Sequence, residues 1–381
     1  NELKKGHDHQ LISGLSGSAR PIFYQTVHEE LDKPLLVVTP NLLHAQRVYD
    51  DLVRLMGEQL VRLYPAEETI AADIAFSGPE LRAHRIDTLD HMKSTGTGIY
   101  VTPVSGLRKL LPSPAQWDGA TLRVEDGDEL DTESWLLKLV AMGYSRTTMV
   151  TSPGEFALRG GILDVYPLHF EHPVRIELFD TEVDSIRLFS AEDQRSLEKI
   201  HSLCILPAVE LVLSAGQKRM LADRIEDQLS ASLKKLKDDD TKELMMQYIQ
   251  NDIDTLRSGD EPEQLAKYAA LVDSQSAFLG DYFPDNGVVF FDELGRIQEM
   301  TETLEREEAE WTVSLLEEGK FLHDVRLAYP FREVMAKLKQ PANFLSLFTR
   351  TFPLVTIKKS IAYSCKPMQS FHGQMNLLHA E

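Results

Sequence analysis

The chain has 381 residues, 43% apolar and 26% charged, with a formal net charge of −20. That length admits two or three domains and a sizeable core, and the composition is that of an ordinary soluble globular protein. No run of 18 apolar residues marks a membrane helix, and the start NELKKGHDHQ lacks the apolar stretch of a signal peptide. The acidity argues against broad, non-specific nucleic-acid binding. Two cysteines in unlike contexts, Cys204 and Cys365, point to a reducing cytoplasm.

Residues 11 to 118 read as alternating strands and helices. LISGLSGSARP has the form of strand, glycine loop and helix. Leu35 to Val38 is a short apolar run, as in a strand buried on both faces of a parallel sheet. Thr39-Pro40 is expected to open a helix whose apolar residues Leu42, Ala45, Val48 and Leu52 keep helical spacing. Leu60 to Leu63 and Ile99 to Thr102 read as further strands, and Ser77 to Glu80 as a capping box opening the helix between them. Such alternation implies an α/β domain with a parallel sheet. After Pro112 and Pro114 the texture changes to a smaller α+β domain. Its strands begin at Leu122 to Val124, and Asp131-Thr132 caps a helix that Gly143 ends.

In that smaller domain, VRIELFDTEVDSIRLF (174–189) alternates cleanly. Val174, Ile176 and Leu178 fall on one face, and Arg175, Glu177 and Phe179 on the other. Phe179 is a large apolar side chain on a charged face, the composition of either a protein-binding hot spot or a contact with a neighbouring domain. Arg159 precedes Gly160-Gly161, expected to be a bulge or sharp bend, and is expected to share a face with Arg175 and Phe179. The bland alternative is a pair of solvated arginines.

From Ser214 the chain turns helical, as one long helix or a pair. Val288 to Glu293 then reads as a buried strand ending in two carboxylates. Glu299 to Glu318 holds eight glutamates and one arginine, a pattern of a solvated helix face. The stretch Gly14 to Pro21 has the rhythm of a phosphate loop, with glycines at 14 and 17. The places for glycine, lysine and hydroxyl hold Ala19, Arg20 and Pro21 instead. Asp292-Glu293 stands where an ATPase holds Mg²⁺ and its catalytic carboxylate. Read alone, the first stretch is more simply a plain loop, and carboxylates often end strands or cap helices; together the two imply a nucleotide-binding sheet without its catalysis. His7-Asp-His9 and His169-x-x-His172 lack third and fourth ligands, so no metal is expected, and no catalytic constellation stands out.

These motifs carry a resemblance. Gly14 to Arg54 and DYFPDNGVVFFDE (281–293) resemble segments of the excinuclease subunit UvrB. The motif GEF-x-x-RGG-I-x-D-x-YP (154–167) and the late MQSFHGQM (368–375) resemble the bacterial transcription-repair coupling factors, the Mfd family. The resemblance implies an α/β fold: a degenerate P-loop NTPase-like parallel sheet with an inserted α+β domain that binds UvrA. Its segments would be residues 1–120 (UvrB-like domain 1a), 121–210 (domain 2), 211–350 (domain 1b, completing the sheet), and 351–381 (the start of a following small domain). It implies UvrA contacts at Arg159, Arg175 and Phe179, with Glu177 and Asp180 on or near that surface. The family's C-terminal domain would cover the patch. RNA polymerase and DNA would be reached only through domains outside this chain, as would the ATP-driven motor. The expected role is a non-catalytic recruiting module with no cofactor. The alternative is an ATP-dependent nucleic-acid remodelling enzyme of UvrB type.

Overall fold

The computed structural model describes residues 9–69, 71–72, 74, 78–273, 276–347 and 355–365. In the first part of the chain lie β1 (Gln10–Ser13), β2 (Leu35–Thr39), β3 (Val61–Leu63) and β4 (Ile99–Pro103). The smaller unit contributes β5 (Leu122–Glu125), β6 (Ser145–Arg146), β7 (Glu155–Arg159), β8 (Ile162–Val165), β9 (Val174–Phe179), β10 (Glu182–Phe189), β11 (Ser196–Ile200) and β12 (Ser202–Ile205). Later come β13 (Val288–Asp292), β14 (Ala342–Ser346) and β15 (Lys359–Ala362).

The first sheet has seven strands in the order β15-β1-β14-β13-β2-β4-β3, all parallel. β2, β4, β13 and β14 are buried along their whole length, because helices cover both faces. Leu36, Val38, Tyr100, Val289 and Phe291 pack on one side, while Leu35, Val37, Ile99, Val101 and Phe290 pack on the other. Two distant stretches of chain therefore build one sheet. β15 adds to its edge beside β1, so residues 359–362 contribute a strand to this sheet. MQSFHGQM lies outside the described residues, as do His7 and Asp8.

Two expected helix starts are corrected. Pro40 lies outside its helix, α2 (Leu42–Met56); Asn41 is the cap, and its side chain accepts from the His44 N–H at 2.9 Å. The helix Pro79–Ser94 begins at Gly78, which has no side chain to offer as a cap. Ser77 is outside the described residues.

Between the two halves of that sheet sits a six-stranded sheet, β11-β10-β9-β8-β7-β6, antiparallel except for the β6–β7 pair. One face packs Phe156, Leu163, Val165, Val174, Ile176 and Ile186 against the helix Thr132–Ala141, which Asp131 caps. The other face has only Val150, Ala157 and Phe189 as a small cluster, with Tyr166 beside it. Gly160-Gly161 is not a bulge. It is a two-residue hairpin turn between β7 and β8, with Gly160 at φ +59°, the first-position glycine of a type II′ turn.

A helical unit follows, the pair Ala215–Lys235 and Asp239–Ser258, with Ser214 and Asp238 as caps. The chain thus forms two helices, the first ending at Leu236 in extended conformation and the second capped by Asp238. The acidic helix Leu294–Glu317 is not a fully solvated face, because Glu308 accepts from the buried Arg108 at 2.7 Å. Where the chain leaves the small unit, Glu210 accepts from the Tyr64 hydroxyl at 2.8 Å and pairs with Arg85 at 3.1 Å and Lys109 at 3.0 Å. Burial pushes the Glu210 carboxyl up, but those two cations and the hydrogen bonds outweigh it and hold it at about 2.

Candidate functional site

Two clusters of arginine and carboxylate carry the sequence-predicted residues. The first lies at the C-terminal ends of β1 and β13. β1 runs into the loop Gly14–Ser18 and then into α1 (Ala19–Leu31). Gly14 has φ +82°, and a Cβ there would stand 2.0 Å from the Tyr363 carbonyl oxygen, so only glycine lets the chain beyond β15 lie across the loop. Gly17 has φ +54° and open space around it. Ala19, Arg20 and Pro21 form the first turn of α1.

Arg20 reaches back from that turn. Its Nε donates to the Leu15 carbonyl at 3.0 Å, Nη1 donates to Asp292 Oδ1 at 2.6 Å, and Nη2 donates to Glu293 Oε1. Asp292 is fully buried at the end of β13, and Glu293 follows in a left-handed conformation (φ +64°) that starts the next helix. Glu293 also accepts from the Leu347 N–H at 3.1 Å, and His44 Nε2 stands 3.6 Å from Asp292 Oδ2. Tyr24 is buried beneath the cluster, and desolvation together with the Asp292 charge pushes its hydroxyl well up. One guanidinium thus lies between the loop and both carboxylates.

The second cluster lies on the open face of the six-stranded sheet. The sequence placed Arg159, Arg175 and Phe179 on one face, and the structure joins the two arginines through the intervening strand β8, with Phe179 further along β9. β8 runs between β7 and β9, pairing with both, with Asp164 opposite Arg175 and Ile162 opposite Arg159 and Glu177. Asp164 is fully buried. Arg175 grips it with two bonds, Nε to Oδ1 at 2.7 Å and Nη2 to Oδ2 at 2.9 Å, and Arg159 Nη2 donates to Oδ2 at 2.6 Å. The arginines are therefore not simply solvated. Arg175 also lies over the Phe189 ring, 4.5 Å from its centroid. Its hydrogen bonds to Asp164 raise its pKa further. The Arg175 side chain keeps 14% of its surface in solvent and that of Arg159 keeps 47%.

Phe179 ends β9 and is 79% exposed, the most exposed large apolar side chain among the described residues. Asp180 follows at φ +59° in the turn to β10, exposed beside it. Glu177 accepts from the Ser185 hydroxyl at 2.8 Å and lies 3.4 Å from Arg187. Sequence reading missed Asp164 and Phe189, although period-two alternation marked both faces. An aspartate within a strand motif, in phase with an arginine on the next strand, was the available signal.

A family model, the UvrB interaction domain, matches residues 122–211, from β5 to just past β12 and so including the whole six-stranded sheet. Over all 381 residues the chain is 44% identical to the transcription-repair-coupling factor of Bacillus subtilis strain 168. Over 377 residues, 99% of the chain, it is 32% identical to that of Staphylococcus haemolyticus strain JCSC1435 and 30% identical to that of Staphylococcus aureus strain RF122. In each case it spans 32% of the relative, about a third of that protein's length.

Proposed function

We propose, for a chain that belongs to the transcription-repair-coupling factor family, that it acts as a recruiting module and docks UvrA on the open face of the six-stranded sheet, bringing excision repair to lesions that stall RNA polymerase. The observation that carries this reading is Phe179. A large aromatic at the end of β9, mostly in solvent and on the strand face that also carries Arg175, is the anatomy of an interface anchor. Arg159 and Arg175 supply charge-assisted hydrogen bonds to acidic groups of the partner. Glu177 and Asp180 form the rim.

In this reading the seven-stranded sheet is a degenerate phosphate-loop scaffold, and residues 122–211 are inserted into it. The scaffold does no catalysis in this reading, because the Arg20 guanidinium occupies Asp292 and Glu293, the carboxylates that would otherwise hold Mg²⁺. RNA polymerase and DNA are reached through parts of the protein outside this chain, and a C-terminal domain covers the docking face until it is needed. The test is calorimetric titration with UvrA of the wild type beside Phe179→Ala. Binding by wild type and a loss of tenfold or more in the variant, at unchanged melting temperature, supports the reading. Equal binding by both sinks it. Titration with Mg-ATP, expected to leave the melting temperature where it is, tests the enzymatic alternative.

A further inference from the structure

We infer that Asp164 is the positioning residue of this docking face: it stays buried beneath the interface and fixes Arg159 and Arg175 as a preset pair of guanidinium groups for an acidic partner surface. The inference rests on the docking reading above. Asp164 itself cannot reach a partner, because no part of it is exposed. A buried carboxylate needs compensation, and here two arginines from the neighbouring strands on either side provide it. The arrangement has a consequence for binding. Arginine loses much rotamer freedom when it docks, and a side chain already clamped has lost it beforehand.

The clamp is tight at Arg175, which has two bonds to Asp164, the Phe189 ring beneath it, and Gln194 Oε1 at 3.5 Å. It is looser at Arg159, which has one bond. Nη1 of Arg175, and Nε and Nη1 of Arg159, keep no partner among the described residues, so donors remain for an incoming carboxylate. Asp164 balances only one of the two guanidinium charges, while Glu177 and Asp180 place negative charge at the rim, so the spare donors rather than a net charge favour an incoming carboxylate.

The test uses the 381-residue chain with Asp164→Asn, which removes the charge at nearly constant volume. Arginine Nε–Hε signals in the free chain report the clamp directly. Dispersed, slowly exchanging signals for Arg159 and Arg175 are expected in wild type, collapsing toward free-arginine positions in the variant. Titration with UvrA is expected to weaken about tenfold, and Asp164→Asn and Arg159→Ala are expected to combine less than additively. Unchanged arginine signals, or full additivity, would overturn the inference. If wild type fails to bind UvrA, the docking reading fails, while the arginine signals still decide whether Asp164 positions the pair. If Asp164→Asn does not fold, Asp164→Glu keeps the charge and displaces the carboxylate by one methylene. It should broaden the Arg175 signal and weaken binding less, and an undisturbed signal there would count against the clamp.

Discussion

The two clusters are opposites built from the same groups. At the end of β13 one guanidinium bonds two carboxylates, and at the open sheet face one carboxylate bonds two guanidiniums. The first is sealed: Asp292 is fully buried, Arg20 is used on all sides, and the chain at Tyr363 lies across the loop. The second is open, with spare donors on the sheet face whose end carries an exposed phenylalanine. An ion cluster whose bonds are all internal holds a fold together. One that keeps donors in hand is equipped to bind.

The largest effect should come from breaking the sealed cluster. Arg20→Ala leaves two carboxylates, one of them fully buried, without their cation, and removing one partner of a buried pair costs about 3–5 kcal/mol. Urea titration should show a loss of that order, and a loss under 1 kcal/mol would mean that the cluster is wet and open. Next is the joint between the two regions. The Glu210 carboxyl sits at about 2 in the folded chain against an ordinary 4.5, so its stabilisation is present above about pH 4.5 and disappears as pH falls toward 2. Roughly 3 kcal/mol is at stake, and Glu210→Gln should flatten that part of the stability–pH curve.

At the open cluster the effects move from stability to affinity. Phe179→Ala should cost about 2 kcal/mol or more of UvrA binding, with thermal unfolding unchanged because the ring touches little of its own chain. A drop in melting temperature would show that Phe179 belongs to the fold. The smallest effect is expected at Arg187→Ala, whose contact with Glu177 is 3.4 Å long and partly exposed on both sides. Chemical denaturation should register no more than about 0.5 kcal/mol.

Much of the fold was legible because burial imposes period. Leu35 to Val38 and Val288 to Phe291 read as strands sealed on both faces, and Val174 to Phe179 as a strand with one face free. Those patterns follow from side chains alternating across a strand, and they placed Phe179, Arg175 and Glu177 on one surface. Asp131 and the glycine loop were legible for local reasons, namely a cap and a backbone conformation. The hairpin at Gly160-Gly161 was less so, since paired glycines serve bulges and tight turns alike.

Sequence alone determined the kinds of chemistry present: an arginine and a proline after a glycine loop, two carboxylates at a strand end, and an aromatic among charges. Only the tertiary structure decided who pairs with whom. Arg20 meets Asp292 and Glu293 across more than 270 positions because β14 brings the ends of β1 and β13 into one crevice. Asp164 joins Arg159 to Arg175 because β8 runs between their strands. Pairing of charges depends on which strands lie side by side, and that order is set by long-range packing, whereas alternation and turns fix only the face each side chain takes.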